Sequence, residues 1–259
     1  MMTAKELVRR GSAAAWDYKT LYVSGGFGAP LTGKNVERYC TNNAYNRAQA
    51  RQALIRAAGD QAPPVYGWDC VGLIKGLLWG WRGDPSKTYG GAAYASNGVP
   101  DIGEDEMIRR CRGVSADFSG IRPGAAVWMP GHIGIYLGGG LAVESSPKWA
   151  DGVQVTAVGN IGKKAGYNAR TWKKWGLLPY VDYEEDETMT YEQWKEHMER
   201  YQKELSEVPD SKVPDWAKRE MQKAKDLDIC DGSRPMALIT RAEVASMCVR
   251  AGRSGYEEG

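Results

Sequence analysis

The arrangement of apolar and polar positions changes near residue 120. Before that point, long stretches rich in helix-forming residues predict helices, and one of them, over 36–58, contains neither Gly nor Pro. After it, short apolar runs are separated by Pro-Gly, Gly-Gly-Gly and Asp-Gly turns, which is typical of antiparallel strands. The predicted helices are Thr3–Tyr18, Val36–Ala58 and Val71–Trp81, and the predicted strands are Ala125–Met129, Ile133–Leu137, Leu141–Glu144 and Val153–Val158. Helices followed by antiparallel strands predict an α+β domain.

Beyond residue 190 the pattern becomes helical again. Five apolar side chains recur there at steps of three and four and form one stripe on a predicted helix: Tyr191, Trp194, Met198, Tyr201 and Leu205. Two further helices are predicted over 214–227 and 240–251, the second opened by a capping box of Thr240 and Glu243. Because the stripe spans too few heptads for a coiled coil, packing on its own domain is favoured, with a homodimer through 191–205 as the alternative.

Charge divides the chain into three parts. Residues 1–182 carry 22 Lys and Arg against 14 Asp and Glu, residues 183–210 carry 3 against 10, and residues 211–259 carry 9 against 8. The acidic run from Glu184 to Glu187 therefore predicts a domain boundary. We expect a basic domain of catalytic size over 1–183, an acidic linker over 184–190 and a small all-α domain over 191–259.

Composition limits the classes of function. The chain is 42% hydrophobic and 25% charged, as folded globular proteins are, and no apolar run approaches the roughly 20 residues of a membrane span. The two histidines, His132 and His197, exclude a His-rich metal site, and the five cysteines include no C-x-x-C pair. We expect no cofactor, no metal, no nucleic-acid partner and no membrane insertion. Because the first residues lack the apolar stretch of a secretory leader, we also expect synthesis in the cytoplasm without a signal peptide.

Cys70 is the first candidate for chemistry. It lies between Asp69 and the apolar helix predicted from Val71, and the positive end of a helix dipole is expected to lower a thiol pKa there. This position favours a nucleophile, although a buried structural cysteine is the alternative.

His132 is the second candidate, because it follows a Pro-Gly turn at the start of a predicted strand. A Cys-His pair needs only spatial adjacency. The next strand ends at Glu144, whose carboxylate could orient the imidazole as the third member of a triad. A structural histidine and a solvated strand end are the alternatives for these two positions.

These segments carry a family resemblance. Asp-Cys-Val-Gly-Leu over 69–73, Gly-His-Ile-Gly-Ile-Tyr over 131–136 and the polar residue on the following strand resemble the NlpC-type papain-like cysteine peptidases of bacterial cell-wall metabolism. The Tyr-Val-Ser-Gly-Gly-Phe-Gly segment over 22–28 is similar to the tyrosine-glycine segment before the nucleophile in that family. The resemblance covers roughly residues 18–183.

The resemblance implies a papain-like fold with Cys70 as nucleophile, His132 as general base and Glu144 as orienting residue. Tyr22 and Asp69 would line substrate subsites, and Val71 and Gly131 complete the substrate-binding set. Two departures stand out: Val71 replaces the small hydroxyl residue that usually follows the nucleophile, and Glu144 places a negative charge where the family commonly has His, Asn or Gln. The inserted residues around the predicted 36–58 helix are expected to form part of the cleft wall.

The C-terminal part resembles one surface-layer-homology module, a helix-loop-helix unit that attaches proteins to cell-wall polymers. Its main signature is Ile-Thr-Arg-Ala-Glu over 239–243, and the similarity begins at Trp216. Arg241, whose guanidinium presents a fork of donors, and Trp216 are the residues predicted to bind an anionic wall polymer. Packing of Arg241 within the capping region is the alternative.

Together these features predict a peptidoglycan hydrolase that cleaves a stem-peptide amide, as a D-glutamyl/L-diamino-acid endopeptidase. Without an export leader, a wall-degrading enzyme of this kind is expected to be a phage or prophage endolysin that acts at the bacterial cell wall after release by lysis. A chain that had lost its leader would look the same. The alternatives are an N-acetylmuramoyl-L-alanine amidase on the same fold and a wall-binding protein without catalysis.

Overall fold

The computed structural model describes residues 1–183, 191–207, 214–233 and 239–254. The chain divides into two compact units, Met1–Glu184 and Glu185–Gly259. The predicted acidic linker, 184–190, lies outside the described residues.

The first unit is a mixed α+β domain with its helices in the first half of the chain. They are α1 (Ala4–Trp16), α2 (Lys34–Thr41), α3 (Ala44–Arg47), α4 (Gln49–Gly59), α5 (Cys70–Leu78) and α6 (Glu104–Arg110). The strands are β1 (Met2–Thr3), β2 (Thr20–Tyr22), β3 (Phe27–Pro30), β4 (Tyr66–Trp68), β5 (Arg112–Ser115), β6 (Ala126–Met129), β7 (His132–Gly138), β8 (Leu141–Ser146), β9 (Gly152–Val158), β10 (Ala169–Arg170), β11 (Lys174–Leu177) and β12 (Val181–Asp182). The predicted α+β class is confirmed.

A seven-stranded sheet, in the order β10-β9-β8-β7-β6-β11-β5, forms the framework of this unit. The pairing from β9 through β11 to β5 is antiparallel, as alternating turns and apolar runs predict, and only β10 pairs parallel to β9. A three-stranded sheet, in the order β2-β4-β3, lies immediately before α5 along the chain. Strand β4 of the smaller sheet ends just before α5 begins, and strands β7 and β8 of the larger sheet pack against that helix.

Helix α5 is the centre of the main core. Every one of its residues is buried, and Leu73, Ile74 and Leu77 have no exposed surface. Because α5 is covered on all sides, it needs no polar face. This explains the apolar sequence from which the helix was predicted. The first residue of α5, Cys70, is thereby held on a rigid element.

The single helix predicted over 36–58 is wrong, because the structure has three helices there. Three asparagine side chains, Asn42, Asn43 and Asn46, donate hydrogen bonds to the carbonyl oxygen of Ser24, at 3.2, 3.0 and 2.8 Å. Asn43 also caps α3 by accepting from the backbone N–H of Asn46. Short polar side chains that bond to backbone groups compete with a continuous helix, even where Gly and Pro are absent.

The second unit contains α7 (Tyr191–Ser206), α8 (Asp215–Asp226) and α9 (Arg241–Ser254). The capping box at the start of α9 is present: the Glu243 N–H donates to the Thr240 hydroxyl, and the Thr240 N–H donates to the Glu243 carboxylate at 2.7 Å. None of the helices in the described ranges has the length and apolar character needed to cross a bilayer.

Three of the five side chains of the apolar stripe of α7 are exposed, and the other two, Met198 and Leu205, are half-buried. Tyr191, Trp194 and Tyr201 are 71, 50 and 53% exposed, and the first two rings stack on each other at 6.0 Å. The prediction that this stripe packs within the module is therefore wrong for these three side chains.

Candidate active site

Asp69 fixes the beginning of α5. One carboxylate oxygen caps the helix by accepting from the Gly72 N–H at 2.5 Å, and the other accepts from the Gly25 N–H at 2.8 Å. The Asp69 N–H in turn donates to the Gly26 carbonyl at 2.9 Å. Asp69 thus joins the glycine loop to the helix that begins with Cys70, and both of its oxygens already have backbone partners.

The Cys70 thiol is buried at the first position of α5, and only 6% of the residue is exposed. Burial raises its pKa to about 12, and the nearby carboxylates of Asp69 and Glu104 contribute in the same direction. The backbone N–H groups of Ile133 and Val71 oppose this rise because they hydrogen-bond to the sulfur. The predicted lowering of this pKa by the helix N-terminus is therefore wrong, since desolvation outweighs the favourable backbone groups.

His132 is the first residue of β7, one position before the Ile133 N–H that bonds to the Cys70 sulfur. The imidazole Nε2 lies 2.6 Å from a carboxylate oxygen of Glu144 on the adjacent strand. This contact leaves Nδ1 as the ring nitrogen available to a reacting group. The structure thus places the Cys70 sulfur against the residue that follows His132, and it pairs His132 with Glu144.

Glu144 has no exposed surface, so a solvated strand end is ruled out. Its carboxylate accepts from the Thr156 hydroxyl at 2.7 Å and from Arg170 Nε at 2.8 Å, in addition to the His132 contact. Burial raises the pKa of Glu144, but the hydrogen bonds from His132 and Arg170 outweigh burial and hold the pKa below its usual value. The group is therefore a carboxylate at neutral pH.

The His132 ring is also held from the side. The Trp172 ring stacks against it with centroids 5.5 Å apart and planes 9° apart, and Trp172 is 1% exposed. Asn160 fixes the Trp172 backbone through two hydrogen bonds, at 2.8 and 3.0 Å. Sequence reasoning missed Trp172, Thr156 and Arg170, because neither their spacing nor their neighbours distinguish them from ordinary strand residues.

Tyr22 lies near Cys70, as the resemblance implies. Burial raises the pKa of its hydroxyl, and the proximity of Cys70 and Asp69 acts in the same direction, so the group stays protonated at neutral pH and can donate. Tyr45 packs edge-on against the Tyr22 ring at 5.6 Å. Because Tyr45 belongs to α3, the inserted helices contact the candidate site, which agrees with their expected place in the cleft wall.

The other predicted contacts differ in accessibility. Val71 is 6% exposed and packs in the main core, so its side chain offers little surface to a substrate. Gly131 occupies the exposed turn between β6 and β7 with a φ of +75°, where a side chain would be strained.

A cavity of about 390 Å³ adjoins the beginning of α5 and includes Asp69 in its wall. Lys75, which is 8% exposed, forms an ion pair there with Asp101, and the Tyr94 hydroxyl donates to the same carboxylate at 2.7 Å. Arg38 donates to the Tyr89 hydroxyl at 2.6 Å. The cavity presents charges of both signs and aromatic rings to a bound group.

In the second unit, Arg241 is exposed at the first turn of α9. The Trp216 side chain lies outside the described residues. A hollow of about 340 Å³ is lined by Cys230, Asp231, Glu243 and Arg250 among others, and Arg241 does not line it. The structure therefore does not bring Arg241 into this hollow.

The described residues contain no group of three or more His, Cys, Asp or Glu side chains arranged to hold a metal ion. Comparison of the chain with protein-family models and with curated proteins finds no match.

Proposed function

We propose that the protein is a papain-like cysteine peptidase that hydrolyses an amide of the peptidoglycan stem peptide. One observation carries the proposal: a buried thiol at the start of a helix lies beside a strand whose first residue, His132, bonds to the buried carboxylate of Glu144. A nucleophile, a base and a residue that orients the base are the parts that thiol-dependent amide hydrolysis requires.

The raised pKa of Cys70, about 12, determines how the reaction begins. Because the resting group is a thiol, the sulfur must lose its proton to His132 Nδ1 as it attacks the amide carbon. The C–N bond then breaks, and the imidazolium returns the proton to the leaving amine. Water hydrolyses the resulting thioester after giving a proton to His132, and the thiol is restored when that proton passes to sulfur.

The first N–H groups of α5 have no acceptor within the helix. The Cys70 N–H is one of them, and it can donate to the oxyanion that forms during attack. Glu144 keeps the imidazole oriented through Nε2 in each step.

Charge near the thiol favours a substrate with a positive group. The Glu104 carboxylate acts on Cys70 from α6. Asp69 also acts on Cys70, but burial raises its pKa and both of its oxygens are already bonded to backbone N–H groups, so Glu104 is the carboxylate on which this argument rests. A diamino acid carries an ammonium group that suits this field. The preferred scissile bond is therefore the one between D-glutamate and the L-diamino acid.

The second unit is proposed to bind the wall through its surface-layer-homology-like part, with the exposed stripe of α7 available for a homodimer. We propose cytoplasmic synthesis and action at the bacterial cell wall after lysis, as in a phage endolysin. An amidase acting at the lactyl-alanine junction remains the second enzymatic candidate.

The test compares Cys70→Ala with Cys111→Ala. Cys111 is a matched control, since it is also buried and its pKa is also raised to about 12, but it lies outside the site. Cys70→Ala and His132→Ala are expected to lower wall lysis by at least a thousandfold or so, with circular dichroism unchanged. Cys111→Ala is expected to retain activity if it remains folded.

Mass spectrometry of muropeptides released from purified walls identifies the bond. A newly freed α-amino group on the diamino acid supports the endopeptidase. A newly freed α-amino group on the L-alanine that was joined to the lactyl group supports the amidase. Lysis by folded Cys70→Ala, or no cleavage of any wall by the parent protein, would contradict the proposal.

A further inference from the structure

The Glu144 carboxylate is shared between two basic side chains. Its Oε2 lies 2.6 Å from His132 Nε2 and 2.7 Å from Arg170 Nη2, and its Oε1 accepts from Arg170 Nε at 2.8 Å. Arg170 therefore forms a two-pronged ion pair with the same carboxylate that orients the imidazole. The Thr156 hydroxyl bonds to Oε1 but carries no charge.

Arg170 is held in this position by its surroundings. Its side chain is 11% exposed, and its guanidinium lies over the rings of Trp149 and Trp172 at 4.9 and 5.7 Å. Trp172 is the ring that stacks on His132. The positions of Arg170, His132 and Glu144 are therefore fixed by one continuous packed group.

A fully buried carboxylate requires a compensating positive charge. With a histidine as its only basic neighbour, that charge would come from the imidazolium, and the ring would resist giving up its proton. An arginine remains protonated at every relevant pH and so provides the charge permanently. The pair formed by Glu144 and Arg170 is neutral as a unit, which leaves the imidazole free to be neutral and to act as a base.

We propose that Arg170 is a positioning residue that lowers the affinity of His132 for a proton by neutralising Glu144. The inference deepens the proposed function, and its consequence for activity rests on it. It also accounts for the acidic residue at a position where the resembled family commonly has a neutral or basic one.

The other charged groups around the imidazole belong to different elements. Cys70 on α5 is an uncharged thiol at neutral pH, Asp69 precedes it, and Glu104 on α6 acts on the same thiol. Lys148 lies over the Trp149 ring at 4.4 Å, and the Arg170 guanidinium lies over the same ring at 4.9 Å. Arg170 is thus the cation that bonds directly to Glu144.

The test is a nuclear magnetic resonance titration of the His132 ring, which does not depend on hydrolysis. His197, the one other histidine of the chain, is removed by His197→Gln so that a single imidazole is observed. Arg170→Gln is expected to move the His132 titration to higher pH by about 1–3 units, because Glu144 then has only the imidazole to compensate it.

The same substitution is made in a second background. Glu144→Gln leaves the Arg170 charge beside the ring and is expected to lower the titration pH, and adding Arg170→Gln to it is expected to raise that pH again. Arg170→Lys retains the charge without the planar fork and is expected to titrate nearer the parent than Arg170→Gln does. If Arg170→Gln alone fails to fold, the comparison in the Glu144→Gln background still measures the effect of Arg170.

An unchanged titration on removal of Arg170 in either folded background would overturn the inference. On cell walls, the acidic limb of kcat/KM for Arg170→Gln is expected to move with the ring titration. Failure of the parent protein to cleave walls would reject the proposed function. The titration would still decide whether Arg170 acts on His132, because it does not depend on hydrolysis.

Discussion

At the scale of single residues, burial changes what each group of the candidate site can do. Cys70 is kept as a thiol by desolvation, whereas Glu144, buried even more completely, stays ionised because three side chains bond to it. The difference lies in the partners: a buried charge persists where charged or strongly polar groups pay for its desolvation. The proposed reaction would therefore begin with proton transfer from sulfur.

The pH dependence of thiol alkylation checks this view of Cys70. A pKa raised to about 12 means that the thiolate fraction is small at neutral pH and grows as pH rises toward that value. Alkylation of the Cys70 peptide by iodoacetamide, followed by mass spectrometry, should therefore be slow at pH 7 and accelerate above pH 9. Exposed Cys248 is the internal control for the activity of the reagent.

Glu104→Gln should shift the same alkylation curve of Cys70 to lower pH. The Glu104 carboxylate is one of the causes that raise the thiol pKa, so its removal makes the thiolate easier to form. Glu220→Gln, an exposed change in the second unit, is the control and should leave the curve in place. An unshifted curve for Glu104→Gln would contradict the placement of Glu104 beside the thiol.

Substitutions at Glu144 separate the effect of its hydrogen bond to His132 from the effect of its charge. Glu144→Gln keeps an oxygen for His132 and should retain partial activity, whereas Glu144→Ala removes both the charge and the hydrogen bonds and should lose more activity. Both variants leave the buried Arg170 without its carboxylate and should lose about 3–5 kcal/mol of stability. Chemical denaturation and wall-lysis rates measured on both variants distinguish the two effects. Equal, near-parental values for both would show that neither effect operates.

Much of this site could be predicted from the sequence, and the limit has a physical cause. Cys70, His132 and Glu144 follow from local signals, namely a helix start, a turn before a strand and the end of the next strand. Arg170 and Trp172 reach the site through pairing of β10 with β9, and sequence position carries no sign of that pairing. The direction of the Cys70 pKa shift could not be predicted from the sequence either, because it depends on burial by residues that are distant along the chain.

At the scale of elements, the packing of α5 against the glycine loop determines where the thiol lies. The Gly72 Cα faces the Gly26 carbonyl so closely that a Cβ would overlap that oxygen and would also press on the Asp69 carboxylate. This contact is between backbones and cannot be relieved by a side-chain rotation. The position requires glycine for space rather than for an unusual φ.

Gly72→Ala should therefore destabilise the first unit by about 1–3 kcal/mol or more, and should reduce wall lysis by displacing Cys70. Gly120→Ala is the control in the same unit, since nothing lies within 4 Å of its would-be Cβ. Thermal unfolding of the two variants is the measurement. A Gly72→Ala protein as stable and as active as Gly120→Ala would show that the loop and the helix are not tightly joined.

The observed element boundaries show which sequence patterns predict secondary structure well. The strands around β7 and β8 were predicted well because apolar runs and tight turns coincide there. The helix over 36–58 was predicted as one because helix propensity is high throughout, and only the long-range bonds of its asparagines to Ser24 divide it. These bonds form only because Ser24, in a loop elsewhere in the chain, lies within reach of the asparagines.

At the scale of the whole molecule, charge differs between the parts of the chain. Residues 1–182 have an excess of positive charge, with 22 Lys and Arg against 14 Asp and Glu. A basic domain is attracted to anionic wall polymers without a dedicated binding module, and salt screens that attraction over about 8 Å at physiological ionic strength. Contacts from the second unit would be less sensitive to salt.

Deletion of residues 191–259 should consequently leave hydrolysis of soluble muropeptides nearly unchanged but make wall binding fall more steeply as salt rises. Pull-down of both proteins on intact walls across a salt series measures this. Arg241→Ala in the full chain should weaken binding more than Arg219→Ala, a second exposed arginine of the same unit. Identical salt curves with and without 191–259 would reject wall binding by the second unit.

The ion pair of Glu144 and Arg170 also constrains how the sequence can diverge. Loss of Glu144 alone leaves the buried Arg170 without its carboxylate, and loss of Arg170 alone leaves Glu144 with only the imidazole to compensate its charge. Either single substitution should therefore lower stability and alter the basicity of His132. Descendants of this chain should therefore retain both charges or replace both. A chain in which a neutral amide occupies the first position is expected to lack the arginine at the second, and the two sites would be inherited as one unit although they are far apart in the sequence.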